Sequence, residues 1–533
     1  MSEVGTVNQR IRSLAEENPQ QQCYKFISVK NEILSLSRQQ LFDLSRRFAS
    51  RLQRHDIKKG DVICSVLTNS RSRIIMDMGI LMAGGVVLTG LPVLSDGQDL
   101  FGALRHSNCS MVITSSASPT AKIFERYGLS SSVGEKGKLN SHQDHTAFIS
   151  SLADEHFYEA DVNADDEAYI FMTSGSTGFS KMVPRTHREC LDLADNHCRI
   201  FTQDDVLYSD RPFGWLGGFP HFYLTQGIPT LVQEVFNGVT VRDVSDIWGI
   251  VLNLGATFTF MPVPDVMLLR QHYADHIFKK SIKVILTGGQ PIKKNVVAVV
   301  GQVCDVMMTV YGSTDAGLIT YGLISIHNKE RFKDCRAGNI LCPGLQLRLV
   351  DENTKQVFTE PNRVGIIHLK GRTVLRRYLN VETTTSDMFT KDGWLDTNDA
   401  GYIDDKGGLY VIGRQSDVIV VGPYNMYPQW MEERIQKCPG VQSVMIVGLP
   451  HPVTSQELCV CVIKEKDAIL TLAELETFCR GMFLPGATKF DGVPEKFVFM
   501  DSFPHILRID ISGSQLGASS CCDPRYSEIS GAL

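Results

Sequence analysis

The chain has little that would mark it for nucleic acid, an oxidising compartment or a membrane. Its 533 residues carry 53 Lys and Arg against 59 Asp and Glu, a formal net charge of −6, with no basic or acidic tail. Binding nucleic acid through a broad face requires clustered cations that neutralise phosphates, so no nucleic-acid partner is expected. The fourteen cysteines include no Cys-x-x-Cys pair. Cys459 and Cys461 alternate through an apolar run as buried strand residues do, and Cys521 and Cys522 sit in a polar tail. Reduced buried thiols are expected, in place of a disulfide framework or a zinc site. No secretory signal is read in the polar residues 1–22, and Gly531-Ala532-Leu533 is not the Ser-Lys-Leu peroxisomal address, so a cytoplasmic location is expected. No uninterrupted apolar run reaches membrane length. Residues 74–90 are broken by Asp77 and Gly84-Gly85, and residues 250–269 by Pro262, Pro264 and Asp265, so both are expected to be buried core without a transmembrane segment.

What the sequence has is length and alternation. At 533 residues, 43% hydrophobic and 21% charged, it is an ordinary globular chain too long for one core, and at least two domains are expected. Apolar β-branched runs at 62–67, 85–88 and 110–114 alternate with amphipathic stretches at 72–83 and 98–107, the pattern of βαβ units and a mainly parallel sheet. It recurs at 284–286, ending at Thr287-Gly288-Gly289, and at 306–310, ending at Tyr311-Gly312. Open α/β sheets bind ligands at such strand ends. From about Gly338 short alternating strands at 345–350, 364–370 and 408–412 predict an antiparallel, barrel-like subdomain. After Arg414, helices at 428–436 and 472–480 and strands at 443–447, 458–463 and 497–500 predict a small α+β domain. The expected organisation is α/β: a large N-terminal domain over 1–412 with its barrel-like part at about 338–412, a hinge at 413–417, and a small domain over 418–533.

The densest motif is Thr173-Ser174-Gly175-Ser176-Thr177-Gly178-Phe179-Ser180-Lys181, after an expected strand at 168–172. Small hydroxylic residues and glycines expose successive amides and add hydroxyl donors, and Lys181 adds a positive charge, which suits a triphosphate or pyrophosphate. It is not a Walker A loop, because the glycine spacing differs and Met182 stands where Ser or Thr should follow the lysine. A plain Ser/Gly surface loop is the alternative, outweighed by nine successive positions that follow a strand and end in lysine.

With Pro184-Arg185-Thr186-His187 after it, this loop resembles the signature of the adenylate-forming superfamily of acyl-CoA synthetases, 4-coumarate–CoA and other aryl-CoA ligases, luciferase and carrier-protein adenylation domains. Met182 departs from the family's glycine, and His187 reads as a capping or core histidine without a catalytic role. Tyr311-Gly312-Ser313-Thr314-Asp315 resembles the family's Tyr-Gly-x-Thr-Glu element. That likeness implies a ring near adenine and a carboxylate, Asp315, on magnesium, an ion that takes one or two hard protein oxygens besides phosphates. By itself the pentapeptide is a turn with a helix-capping Asp. Gly288-Gly289-Gln290-Pro291 resembles a further family turn and is assigned to ATP. The segment 393–402 resembles the Gly-Trp-x-x-Thr-Gly-Asp element, whose Asp accepts hydrogen bonds from both ribose hydroxyls. Asp399 keeps that position, and Asn398 in place of glycine requires a left-handed backbone, which Asn adopts more readily than most residues. Gly413-Arg414-Gln415-Ser416 resembles the ribose-contacting Arg and the hinge, here Ser416, and a surface turn is the alternative. Gly422, Tyr424-Asn425 and Pro428 resemble the segment lining the CoA tunnel, with Pro423 as an insertion. Trp215, in Pro212-Phe213-Gly214-Trp215, is the candidate gate between acyl pocket and ATP, with a core Trp as the alternative. Lys181, Thr314 and Arg414 are the expected catalytic set.

The resemblance implies an ATP-dependent acid–CoA ligase that activates a fatty or aryl carboxylic acid as acyl-AMP, using ATP, Mg2+ and CoA. One departure counts against it. The family ends with a loop of the type Leu-Pro-x-Thr-x-x-Gly-Lys-Ile-x-Arg, whose lysine bridges the substrate carboxylate and the α-phosphate. Aligned on Phe503-Pro504, that lysine is Asp510 and the glycine before it Ile509, and no lysine follows Lys496. Losing one preorganised donor costs roughly 3–4 kcal/mol in the transition state, and Arg508, the candidate substitute, has a different geometry. Two other readings stay open: an adenylating enzyme with a non-CoA acceptor, and an adenylation-impaired nucleotide- or acyl-binding protein.

Overall fold

A computed structural model describes residues 5–28, 32–89, 98–115, 139–141, 157–173, 181–195, 201–233, 244–273, 282–290, 292–379, 387–415, 419–421, 424–426, 428–451, 455–483, 494, 496–501 and 503. The chain divides into two compact units, Met1–Gln346 with Leu369–Leu395, and Leu347–His368 with Asp396–Leu533.

The first unit holds two sheets. In one, six strands run in the order Leu139–Ser141, Met111–Ser115, Val62–Val66, Val86–Thr89, Glu167–Thr173, Lys181–Thr186. Val62–Val66 is parallel to both neighbours, with the helix Arg71–Met82 between it and Val86–Thr89 in the chain, as the alternation predicts. That helix is not amphipathic: every residue from Ser72 to Met82 is buried. Its polar residues are neutralised internally, Arg73 Nε donating to Asp77 Oδ2 at 2.6 Å and Nη1 to the Leu67 carbonyl at 2.8 Å. This is why residues 74–90 read as core. No helix among the described residues is long and apolar enough to cross a membrane.

The other sheet has nine strands, in the order Ile340–Leu341, Gly317–Ser325, Cys304–Ser313, Ile282–Gly288, Phe258–Phe260, Leu207–Ser209, Thr230–Gln233, Gln22–Ile27, Ile33–Ser37. Phe258–Phe260, Ile282–Gly288 and Cys304–Ser313 are parallel, with Leu286 beside Phe260 and Met308, and Gly288 beside Val310. Helices cover one face, where Trp248, Val266 and Ile285 are sealed from solvent. Gly288 must be glycine, since a Cβ there would lie 2.2 Å from the Val310 carbonyl oxygen.

Leu409–Arg414, Leu395–Ile403, Gly365–Gly371, Leu345–Val350 and Val357–Phe358 are successive neighbours in a third sheet. A further sheet orders Tyr424–Met426, Ile419–Val421, Ser455–Lys464 and Val441–His451, with Lys496–Phe499 parallel to Ser455–Lys464. Helices Pro428–Ile435 and Leu472–Met482 supply Met431, Ile435, Leu475 and Cys479 to its core. Cys459 and Cys461 are fully buried strand residues, as their alternation indicates. The mixed α/β architecture, with an antiparallel part and a C-terminal α+β part, is the one expected.

Candidate nucleotide site

The antiparallel pair Glu167–Thr173 and Lys181–Thr186 ends with Thr173 opposite Lys181. Ser174, Gly175, Ser176, Thr177 and Gly178 fall between them and lie outside the described residues. Lys181 is half-buried, its ammonium 5.0 Å from the centre of the Tyr378 ring and 3.7 Å from Met388 Sδ. The Leu379 N–H donates to the Met182 carbonyl at 2.9 Å, which ties the tyrosine segment to this strand.

Four residues after the lysine, Arg185 is completely buried. Its guanidinium donates to the carbonyl oxygens of Thr314 at 2.7 Å, Asp315 at 3.0 Å and Thr373 at 2.8 Å. Leu375 N–H also donates to the Asp315 carbonyl, at 2.7 Å. The Tyr378 hydroxyl is hydrogen-bonded to the Asp315 side chain. Burial first, and the Asp315 charge second, push that phenol above its ordinary value, so it stays protonated and is the donor. Asp315 caps no helix: Ser313 Oγ accepts the Ala316 N–H at 3.2 Å, and the strand Gly317–Ser325 follows. Tyr311, Gly312 and Ser313 end the strand before this turn. Gly288 ends the neighbouring strand, Gly289 follows at φ +81°, and Gln290 is half-buried beyond it. The structure thus gathers Lys181, Thr314 and Asp315 around Arg185 and Tyr378, and sets Gly288 beside Val310, which precedes Tyr311.

Among the described residues no three His, Cys, Asp or Glu side chains converge as a metal cage. Asp315 offers one hard carboxylate at this turn. That donor set fits a magnesium ion carried mainly by phosphate oxygens and water, and does not fit an all-protein site.

A cavity opens beside these strand ends. Its walls include Leu286, Met308 and Val310 from the sheet and Phe213, Phe219 and His221, and among the described residues no Asp, Glu, Lys or Arg lines it. His221 Nε2 lies 2.7 Å from the Leu216 carbonyl. Trp215 is half-buried at the start of the turn Leu216–Gly218 and is not among the lining residues, whereas Gly217 and Gly218 are.

In the second unit, Asp399 and Arg414 lie opposite each other on paired strands, Arg414 Nε 3.6 Å from Asp399 Oδ1. Asn398 is left-handed at φ +59°, the conformation the substitution for glycine requires. Its N–H donates to Asp396 Oδ1 at 2.8 Å, and the Asp399 N–H to Thr397 Oγ1 at 3.1 Å, which together shape the turn that presents Asp399. Ser416 and Gly422 lie outside the described residues. The backbone of Tyr424 pairs with Val421.

His187 is buried, and its Nδ1 accepts the Val7 N–H at 3.3 Å, a core role. Sequence reasoning missed Arg185 and Tyr378. Arg185 follows Met182-Val183-Pro184 in the strand Lys181–Thr186, a charge after an apolar run that could have flagged it; nothing local marks Tyr378.

Parallel strands ending in glycine turns, with a carboxylate beyond one of those ends and a lysine at the end of an antiparallel pair in the other sheet, fit an α/β protein that takes a phosphorylated ligand at its sheet edges. A family model described as AMP-binding enzyme matches residues 12–379, and the chain belongs to that family. It is 25% identical over 497 residues to a long-chain-fatty-acid–CoA ligase of Bacillus subtilis (strain 168), covering 86% of this chain and 85% of the relative. The fold matches ATP-bound MatB from Rhodopseudomonas palustris with a TM-score of 0.78 at 22% identity, covering 94% and 96% of the two chains. It also matches O-succinylbenzoate coenzyme A synthetase (MenE) from Bacillus subtilis in complex with ATP and magnesium, with a TM-score of 0.75 at 22% identity over 93% and 96%.

Proposed function

We propose that the protein is an ATP-dependent acid–thiol ligase that joins a fatty or aryl carboxylic acid to CoA. The observation that carries this reading is the placement of Lys181 and Asp315 about one buried Arg185–Tyr378 group, beside an apolar cavity that no charged residue lines among the described residues. A carboxylate oxygen of the acid attacks the α-phosphorus of ATP, the bond to the β-phosphate breaks, and pyrophosphate leaves. The CoA thiolate then attacks the acyl carbonyl and AMP leaves. Lys181 and the amides of 173–178 hold phosphate oxygens. Gly288, Gly289 and Gln290 with Tyr311–Ser313 border the nucleotide, Thr314 orients it, and Asp399 with Arg414 takes the ribose diol. Asp315 holds magnesium, which when bound neutralises phosphate charge. Likeness to relatives that are CoA ligases supports CoA as acceptor, and the uncharged cavity supports an apolar acyl group. Sequence resemblance alone supports Ser416 as hinge, Gly422 and Tyr424 at the CoA passage, Trp215 as gate, and the division into 1–412, 413–417 and 418–533. A second reading, in which adenylation is impaired, is favoured by Asp510 at the lysine position.

The test is thioester formation over a panel of fatty and aryl acids, started either from acid, ATP and CoA or from synthetic acyl-AMP and CoA. A purified protein that forms no thioester by either route with any of them is not the ligase proposed.

A further inference from the structure

We propose that Arg185 and Tyr378 are positioning residues that fix Asp315 as a magnesium ligand at a set separation from Lys181. This rests on the ligase reading of the same site. A fully buried guanidinium costs several kcal/mol of desolvation unless its donors are matched. Arg185 offsets much of that cost through Nη1 and Nη2, which donate to three main-chain carbonyls, two of them consecutive, at Thr314 and Asp315, while its buried Nε has no partner among the described residues. Holding two successive carbonyls removes the freedom of the Thr314–Asp315 turn, and the Leu375 N–H on the Asp315 carbonyl restricts it further. The side chain is held separately, by the Tyr378 hydroxyl.

Tyr378 has a second neighbour, the Lys181 ammonium over its ring at 5.0 Å. One aromatic side chain therefore contacts both the cation assigned to phosphate and the carboxylate assigned to the metal. Opposite charges brought to one site pair with each other when nothing separates them. The ring gives the lysine a face to rest on and the hydroxyl gives the carboxylate a neutral partner, so neither has to satisfy the other before nucleotide arrives. Arg185 and Lys181 share one face of their strand, four residues apart, so the strand that carries the lysine also grips the Thr314–Asp315 turn between Cys304–Ser313 and Gly317–Ser325.

The experiment is ATP binding by calorimetry as a function of Mg2+ concentration, with thermal unfolding of the ligand-free protein alongside. In Tyr378→Phe, which loses only the hydroxyl, the Mg2+ concentration for half-maximal binding should rise about tenfold, from loss of a hydrogen bond to a charged group. ATP binding without Mg2+ should stay as in the wild type. Arg185→Lys should fall between the wild type and Arg185→Met in the same measurement. A Tyr378→Phe protein with wild-type Mg2+ dependence overturns the proposal, and it decides alone if the Arg185 variants do not fold. Wild-type protein that binds no ATP at any Mg2+ concentration overturns the ligase reading instead.

Discussion

His187 follows the phosphate-loop signature directly, yet its chemistry is that of the core. Burial, the largest influence, lowers its pKa from 6.5 to about 4, with Asp166 only partly opposing. The unfolded chain binds a proton near pH 6.5 that the folded chain refuses until about pH 4. The contribution of this residue to stability is therefore complete above the unfolded value and lost as pH falls through that window. The difference is worth about 3 kcal/mol. His187→Asn keeps an acceptor for the Val7 N–H and removes the titration. Urea unfolding at pH 7 and pH 4 should show the variant losing about 3 kcal/mol less than the wild type on acidification; equal losses would place the acid sensitivity elsewhere. Legibility at this scale followed the distance to a residue's partner. Asn398 announced its left-handed backbone by standing where glycine belongs, and Asp399 and Arg414 were read from local motifs that the strand pairing then set opposite each other. Arg185 binds main-chain carbonyls 129 and 188 residues away. No spacing or periodicity encodes a partner that offers only its backbone.

Elements were legible wherever apolar periodicity and punctuation agreed. The strands expected at 284–286 and 306–310 exist as Ile282–Gly288 and Cys304–Ser313. Their true ends were hidden because Thr287, Gly312 and Ser313 look like turn residues but continue the ladder. The helix Arg71–Met82 misled in the opposite sense. Arg73 and Asp77, one turn apart, imitate a solvent-facing stripe, but each supplies the other's counter-charge inside the protein. Burial raises the Asp77 pKa, and Arg73 opposes that rise. Removing one partner leaves a buried charge without its counterpart, whereas replacing both with apolar side chains removes the problem. Arg73→Met should cost about 3–5 kcal/mol, and Arg73→Met with Asp77→Leu well under half of that. Denaturant unfolding of both variants checks this. A double variant no more stable than the single one would show that the pair's other hydrogen bonds, such as Arg73 to the Leu67 carbonyl, dominate.

For the whole molecule, the family model covers residues 12–379, while the departure with the largest consequence stands near the other end of the chain. Residues 508–510 lie outside the described residues. A ligase performs two half-reactions, and the lysine that Asp510 replaces serves only the first, where a carboxylate approaches a triphosphate. A second carboxylate at that point repels what the lysine attracts. In the proposed reaction, thioester formation would draw instead on the Gly422 and Tyr424 segment and would need no cation at position 510. The protein should therefore form acyl-CoA from synthetic acyl-AMP and CoA much faster than from acid, ATP and CoA. Asp510→Lys alone is not expected to restore adenylation, because Ile509 fills the place of the glycine that lets the loop approach the nucleotide. Ile509→Gly with Asp510→Lys should raise acid-dependent ATP–pyrophosphate exchange while leaving the rate from acyl-AMP unchanged. Exchange by the wild type at ordinary ligase rates, of order ~10 per second, would show that Asp510 does not limit the enzyme, and Arg508 would then be the side chain to replace.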